Sequence, residues 1–258
     1  MTEPPDLVVW PESCVDDFSL VLDSFRDVDE VREHSTFADD SRPCPGLGVP
    51  LLCAGGSFPE GAAESEAVFN TAFLIDAHED IAGRYHKRFL MPWGEYVVGQ
   101  QWIPGVQSLL GSSNNRAGNS AAPLSLPGGP KLGVLICYED LLAEPVRQTV
   151  REGATVLLNL NNLSLFGDSA ALLQHQQIAR FRAIENRRWL LRCGVVGSTA
   201  VVTATGRIEQ QAIPHRPQSV IVESPLFEQE SFYTRRGDVF AYGCMLFSIL
   251  MFVRRRRS

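Results

Sequence analysis

The chain has 258 residues, 45% of them hydrophobic, and a formal net charge of −7. A chain of this length can bury about three quarters of its unfolded surface, which is enough for one sizeable core. The acidic balance argues against a nucleic-acid binder. The six cysteines (Cys14, Cys44, Cys53, Cys137, Cys193, Cys244) show no Cys-x-x-Cys pair and no metal-ligand spacing, so neither a dense disulfide framework nor a metal site is expected.

Met1 to Asp6 is polar and Pro-rich and lacks the apolar centre of a signal peptide. Val8-Val9-Trp10-Pro11-Glu12 reads as a short apolar strand that ends in a carboxylate. From Asp16 to His34 the apolar residues Phe18, Val21, Leu22, Phe25, Val28 and Val31 recur at helical spacing, which predicts a helix with an acidic outer face. Thr36 to Gly46 is loop-like, and strands are predicted over Val49 to Gly56 and Ala67 to Asp76. Tyr85 to Tyr96 then forms a polar loop closed by the turn Pro92-Trp93-Gly94-Glu95. Gln100 to Gly129 is rich in Gly, Ser, Asn and Pro, and loops this long are usually functional or mobile. Leu132 to Ile136 is a continuous apolar run that reads as a strand buried on both faces and delivers Cys137 to its end. Polarity switches at once to Tyr138, Glu139 and Asp140, and a helix is predicted over Leu141 to Glu152. Its positive N-terminal end would favour a thiolate. Ala154 to Asn161 is predicted as a strand, Ala170 to Arg188 as a helix, Arg192 to Thr203 as a strand, Thr205-Gly206-Arg207 as a hairpin turn and Ser219 to Glu223 as a further strand. The apolar run Val239 to Val253 is uninterrupted by charge and ends in Arg254 to Arg257.

Three strand ends carry chemistry. Cys137 on its own reads equally as a small buried hydrophobe, the commonest fate of a thiol outside disulfides. Lys87, between His86 and Arg88, reads equally as a solvated basic loop. Glu12 completes a set that can cleave amides or esters: a thiol attacks a carbonyl, a carboxylate takes the thiol proton and an ammonium stabilises the oxyanion. Glu95, in the turn after Pro92-Trp93-Gly94, reads on its own as a surface turn residue.

Trp10-Pro11-Glu12, the Lys87 loop and Cys137-Tyr138-Glu139-Asp140, in this order, resemble the Glu–Lys–Cys triad of the nitrilase (carbon–nitrogen hydrolase) superfamily. The fuller wording is similar to that of the apolipoprotein N-acyltransferases. It comprises Tyr85-His86-Lys87-Arg88, Pro92-Trp93-Gly94-Glu95-Tyr96, Ile136-Cys137-Tyr138-Glu139-Asp140, Phe166-Gly167-Asp168-Ser169, Gln174-His175 and Ile178 to Asn186. The resemblance runs from about Leu7 to the C-terminus. Within it Leu163 stands in place of an acid, Leu165 in place of a tryptophan, and Val195-Val196 in place of Asn-Thr. These departures bear on recognition of the acyl chain or acceptor rather than on the triad.

The resemblance implies an α/β fold, a nitrilase-like αββα sandwich. It would be N-terminally truncated, since the family's first strand, first helix and multi-helix membrane domain lie before the Trp-Pro-Glu strand. Residues 1–236 would form the catalytic domain, and residues 237–258 a membrane helix with a basic cytoplasmic tail, which leaves catalysis on the periplasmic side of a bacterial inner membrane. The apolar run alone is 15 residues, short of the roughly 20 needed to span a hydrocarbon core. Catalysis would rest on Glu12 as base, Lys87 as oxyanion stabiliser and Cys137 as nucleophile, supported by Glu95, Tyr138 and Glu139, with no metal or cofactor. The acyl donor would be a phospholipid and the acceptor the N-terminal amine of a diacylglyceryl-cysteine lipoprotein. Two other readings remain open: a soluble amidohydrolase with water as acceptor, and a truncated homologue that binds without turnover.

Overall fold

The computed structural model describes residues 4–13, 21–22, 46–58, 68–99, 102, 115–196, 199–213 and 216–257. Two sheets face one another. In the first, strands β1 (Val8–Val9), β3 (Leu51–Phe58), β4 (Val68–Ile75) and β5 (Ile81–His86) lie side by side in that order. Strands β2 (Val21–Leu22) and β6 (Asn115–Arg116) pair with β3 and β4 respectively. In the second, the order is β12 (Ile208–Gln211), β11 (Ala200–Val202), β10 (Leu190–Gly194), β9 (Val156–Asn161), β8 (Lys131–Ile136) and β7 (Leu124–Ser125). The centre of the second sheet is parallel, as β8 pairs β9 and β9 pairs β10 in the same direction.

Alternation along the strands builds the layers, because successive side chains leave opposite faces of a strand. Leu52, Leu74 and Tyr85 from the first sheet meet Val134, Ile136 and Leu158 from the second in the inter-sheet core. The opposite face of the second sheet, including Leu135, Leu157 and Leu190, is covered by Val146 and Val150 of helix α1 (Ala143–Arg151) and by Ala179 and Ala183 of α2 (Ala171–Asn186). The outward face of the first sheet buries Leu51, Cys53, Phe73 and Ile75. The described layers are thus helix, sheet, sheet, a nitrilase-like α/β arrangement.

Several expectations change here. Of the helix expected over 16–34 only Val21–Leu22 is described, and these two residues form β2, paired in parallel with β3. The strand expected over 192–203 is two antiparallel strands, β10 and β11. The helix expected directly after the thiol begins later. Cys137–Leu141 is a 3-10 turn, and α1 starts at Ala143. Residues 219–223 form no strand. That segment and its continuation cross the surface, held by the buried Arg188 side chain, which donates to the carbonyls of Glu228 and Gln229. Cys44 lies outside the described residues.

A short helix α3 (Phe232–Arg236) leads into α4 (Val239–Arg257). The expected membrane segment is therefore helical, and its large apolar residues, among them Phe240, Met245, Phe247 and Leu250, project into solvent. Among the described residues, however, no helix is long and apolar enough to cross a membrane.

Candidate active site

Each of the three expected residues leaves the tip of a strand or the turn beside it. Glu12 follows β1, Lys87 follows β5 and Cys137 follows β8. Glu12 and Lys87 are buried, Lys87 with only 1% of its surface exposed, and Cys137 is half-buried. Lys87 Nζ stands 2.8 Å from Glu95 Oε2 and 4.0 Å from Glu12 Oε1. It also lies 5.5 Å above the Tyr138 ring, a cation–π distance. The Cys137 thiol feels the charges of Glu12, Lys87 and Glu95. The three sequence-predicted residues and Glu95 therefore share one site.

Both oxygens of Glu12 are engaged. Asn70 Nδ2 donates to Oε1 at 2.8 Å, and the backbone N–H of Asn162 donates to Oε2 at 2.9 Å. Burial nonetheless raises the Glu12 pKa above the ordinary carboxylate value, against the pull of Lys87, Asn70 and Asn162. Burial opposes the Lys87 ammonium, but the negative groups around it outweigh this and raise its pKa. The Cys137 thiol is pushed up to about 12 by burial and by the carboxylates of Glu12 and Glu95, with Lys87 pulling the other way. The resting thiol is therefore protonated at neutral pH. Tyr138 is also raised to about 12, through burial and its proximity to Glu95 and Glu139.

Glu95 accepts from Met91 N at 2.7 Å and from Asn115 Nδ2 at 3.3 Å, besides its contact with Lys87. It thereby closes the 91–96 turn onto the lysine. Glu139 is fully buried and touches neither Glu12 nor Glu95. Its carboxylate accepts from Ile136 N, Tyr85 Oη, Arg88 N and Phe89 N at 2.8–3.1 Å. It therefore ties the end of the cysteine strand to the lysine loop. Tyr138 Oη donates to the carbonyl of Leu90, a second tie to the same loop.

Cys137 has φ +55°. A non-glycine residue in that left-handed region costs about 1–2 kcal/mol, which the surrounding contacts must over-determine. Asn159 supplies one such contact, its Nδ2 donating to the carbonyl of Cys137 at 2.9 Å.

Sequence reasoning missed the asparagines. Asn70 spans the two carboxylates, with Glu95 Oε1 at 3.4 Å as its longer contact, and its carbonyl accepts from Lys87 N. Asn70 interrupts the apolar run of β4, and Asn159 and Asn161 interrupt that of β9. A polar amide inside a buried strand needs a partner, so these interruptions were the available signal. Among the described residues no cluster of His, Cys, Asp and Glu could hold a metal ion.

Residues 4–224 match the carbon–nitrogen hydrolase family. An apolipoprotein N-acyltransferase from Geobacter metallireducens is 35% identical over 246 residues, covering 94% of this chain and 44% of the relative. One from Caulobacter vibrioides is 31% identical, covering 98% and 47% respectively. The chain thus spans less than half the length of these curated relatives. Among solved structures, an amidase from Nesterenkonia sp. AN1 carrying acrylamide added at its active-site cysteine superposes with a TM-score of 0.56. It is 19% identical, with 93% of this chain and 86% of that one covered. That likeness is one of fold. The family match covers both sheets, the Glu12, Lys87 and Cys137 tips and the helices behind them, and the chain belongs to the carbon–nitrogen hydrolase family.

Proposed function

We propose that Glu12, Lys87 and Cys137 are a catalytic triad for acyl transfer, and that the chain moves a fatty acyl group from a phospholipid to the N-terminal amine of a diacylglyceryl-cysteine lipoprotein. The observation that carries this reading is the buried ammonium of Lys87 set between two carboxylates beside a protonated thiol. Cys137 Sγ attacks the ester carbonyl while Glu12 takes the thiol proton. Lys87 Nζ stabilises the tetrahedral oxyanion. Collapse breaks the C–O bond, Glu12 returns the proton to the departing lysophospholipid oxygen, and an acyl thioester remains on Cys137. The acceptor amine then attacks that thioester through the same oxyanion site, giving an amide and restoring the thiol.

Two surfaces favour a lipid donor over a soluble amide. Trp93 is 64% exposed on the turn that Glu95 closes, and Leu165 is 78% exposed just beyond Asn162, which binds Glu12. Exposed large apolar side chains thus lie close in sequence to backbone that the site's carboxylates hold. The second surface is α4, whose 15 uncharged residues extend about 22 Å against a hydrocarbon core of about 30 Å. In this reading α4 enters the inner membrane with its basic end at the cytoplasmic face, the stems of Arg254 and Arg255 snorkelling to make up the length, and the catalytic domain faces the periplasm.

The test is incubation of the detergent-purified chain with a phospholipid of defined acyl chain, followed by intact-mass analysis. The expected result is a hydroxylamine-labile acyl adduct on Cys137, absent from Cys137→Ala, that passes to a diacylglyceryl-cysteine peptide. Release as free fatty acid with no transfer to the peptide would favour the hydrolase reading. No adduct at all would overturn the proposal.

A further inference from the structure

Behind the nucleophile lies a second buried polar group that takes no part in the chemistry above. Asp140 sits in the same 3-10 turn as Cys137, three residues on, and is fully buried. Its Oδ2 receives Arg192 Nε at 3.0 Å, with neither side chain exposed. On the far side of the guanidinium, Arg192 Nη2 lies 2.8 Å from His175 Nδ1. Burial lowers the His175 pKa, so its ring is neutral at pH 7 and Nδ1 accepts from the guanidinium. His175 Nε2 in turn faces Asp140 Oδ1 at 3.5 Å.

The register of the second sheet gives this group its meaning. Arg192 on β10 is the direct cross-strand partner of Asn159 on β9. Asn159 holds the carbonyl of Cys137, and Arg192 holds the carboxylate of Asp140. Two neighbouring residues of the sheet therefore grip the two ends of one turn. Helix α2 adds His175 against Arg192, and Arg182 Nη1, which donates to the carbonyl of Leu141 at 2.9 Å. A charged group in so dry a place is costly, and an apolar pair of similar volume often serves stability as well or better. Stability alone gives little reason for the ion pair. The strained residue it sits beside supplies another.

We infer that Asp140, Arg192 and His175 form a positioning brace, which with Asn159 holds the Cys137 turn in its left-handed conformation so that Sγ meets Glu12 and Lys87. None of the three touches the reacting atoms. The inference rests on Cys137 being the attacking group. A brace acts through hydrogen-bond geometry, so a neutral side chain that keeps the geometry should keep the rate. A charge needed only to balance the core would not be replaced so.

The probe is a p-nitrophenyl acyl ester in detergent. Sγ attack forms the thioester, the thiol proton passes to Glu12 and p-nitrophenolate leaves, giving a burst whose rate reports acylation, with the adduct located by intact mass. Asp140→Ala is expected to slow the burst by about tenfold or more, as misplacement of reacting groups does. Asp140→Asn, which retains an oxygen for Arg192 Nε, should recover to within about threefold of wild type. The same contrast is expected at position 175: His175→Leu slow, and His175→Gln, which keeps an acceptor for Arg192, close to wild type. A folded Asp140→Ala that acylates at the wild-type rate overturns the inference, as does an Asp140→Asn no faster than it. If Asp140→Ala fails to fold, the position 175 pair decides, and equal rates in the two variants overturn it. A wild-type chain that forms no adduct on Cys137 removes the nucleophile itself, and the brace with it. An adduct in every variant at one rate removes the brace alone.

Discussion

Replacing Glu139 by glutamine tests whether the clamp between strand and loop is a structural requirement of the site. The carboxylate accepts four hydrogen bonds, from Ile136 N, Tyr85 Oη, Arg88 N and Phe89 N. An amide offers one oxygen. In its better orientation that oxygen keeps Arg88 N and Phe89 N, Tyr85 turns to accept from the new NH2, and Ile136 N faces a donor with nothing to accept it. One buried orphan donor costs about 1–3 kcal/mol, and the remaining bonds lose the roughly 1 kcal/mol each that a charged acceptor adds. Against this, burial raises the Glu139 pKa despite those bonds. Burial of the charged form is therefore a cost, which the amide relieves. The net expectation is a loss of about 2–4 kcal/mol, or about 5–15 °C in melting temperature for a domain of this size. Acylation should fall further than stability explains, because Arg88 N and Phe89 N fix the loop that carries Lys87. A thermal melt in mild detergent, paired with the p-nitrophenolate burst measured well below the melting temperature, reads both. Unchanged melting in Glu139→Gln would refute the clamp.

Other substitutions separate base, ammonium and membrane helix. Glu12 acts as a base only when ionised and its pKa is raised above 4.5, so the acylation rate should fall with decreasing pH through a midpoint above that value. Asn70→Ala removes a donor that lowers this pKa, so it should move the acid limb of the rate profile to higher pH; a shift to lower pH would contradict the assignment. The raised pKa also means that ionised Glu12 weighs against the folded state at neutral pH, a cost absent below the unfolded value. Glu12→Gln removes that cost but turns an NH2 towards one of the two donors, Asn70 Nδ2 or Asn162 N, and it is expected to lose about 10²–10⁴-fold in acylation. Glu95→Gln leaves the Lys87 loop without its closest charge and should slow acylation about 10–100-fold, with Lys87→Met slower still, at about 10²–10³-fold. Deleting residues 239–258 should release the protein from sedimenting vesicles and leave the burst rate unchanged; retention on the vesicles would remove α4 as the anchor.

Part of the site was legible because Glu12 and Cys137 end apolar runs. A strand that switches abruptly to Glu or Cys marks a strand end, and there Glu12 and Cys137 meet Lys87 in one site. Glu95 was legible through the family resemblance of the Pro92 to Tyr96 segment, since a turn alone reads as surface. The supporting amides were less so, since an asparagine in a strand reports a need for a partner without saying which one. Asn70, Asn159 and Asn161 acquire roles only through a cross-strand register that no local pattern encodes. Gly118 is similar: a Cβ there would lie 2.4 Å from the His86 carbonyl, a close approach visible only once the loop is folded. Residues 219–223 carry the β-branched run Val220-Ile221-Val222 yet form no strand, and further along the buried Arg188 takes up the carbonyls of Glu228 and Gln229. Val21–Leu22 shows the converse, helical spacing overridden by pairing with β3.

In the proposed reaction, the charge balance of the site bears on how a thiol raised to about 12 would attack at all. A pre-formed thiolate would place a third negative charge beside Glu12 and Glu95, with Lys87 alone to offset it, in surroundings that already disfavour any charge. Transfer of the proton to Glu12 during attack avoids this. Negative charge leaves Glu12 as it appears on the carbonyl oxygen, so two carboxylates and one ammonium become one carboxylate, one oxyanion and one ammonium. The net charge of the pocket stays constant through the step, and only its position moves, towards Lys87. A high thiol pKa is then no obstacle. It keeps the proton on sulfur until a carbonyl is present to receive the charge, and it guards the nucleophile against oxidation, which requires thiolate character. This places the demand on geometry, since Glu12, Sγ and Lys87 must be aligned at the moment of attack. It accounts for the hydrogen bonding spent on Glu139, Asn159, Asp140 and Arg192 around one five-residue turn.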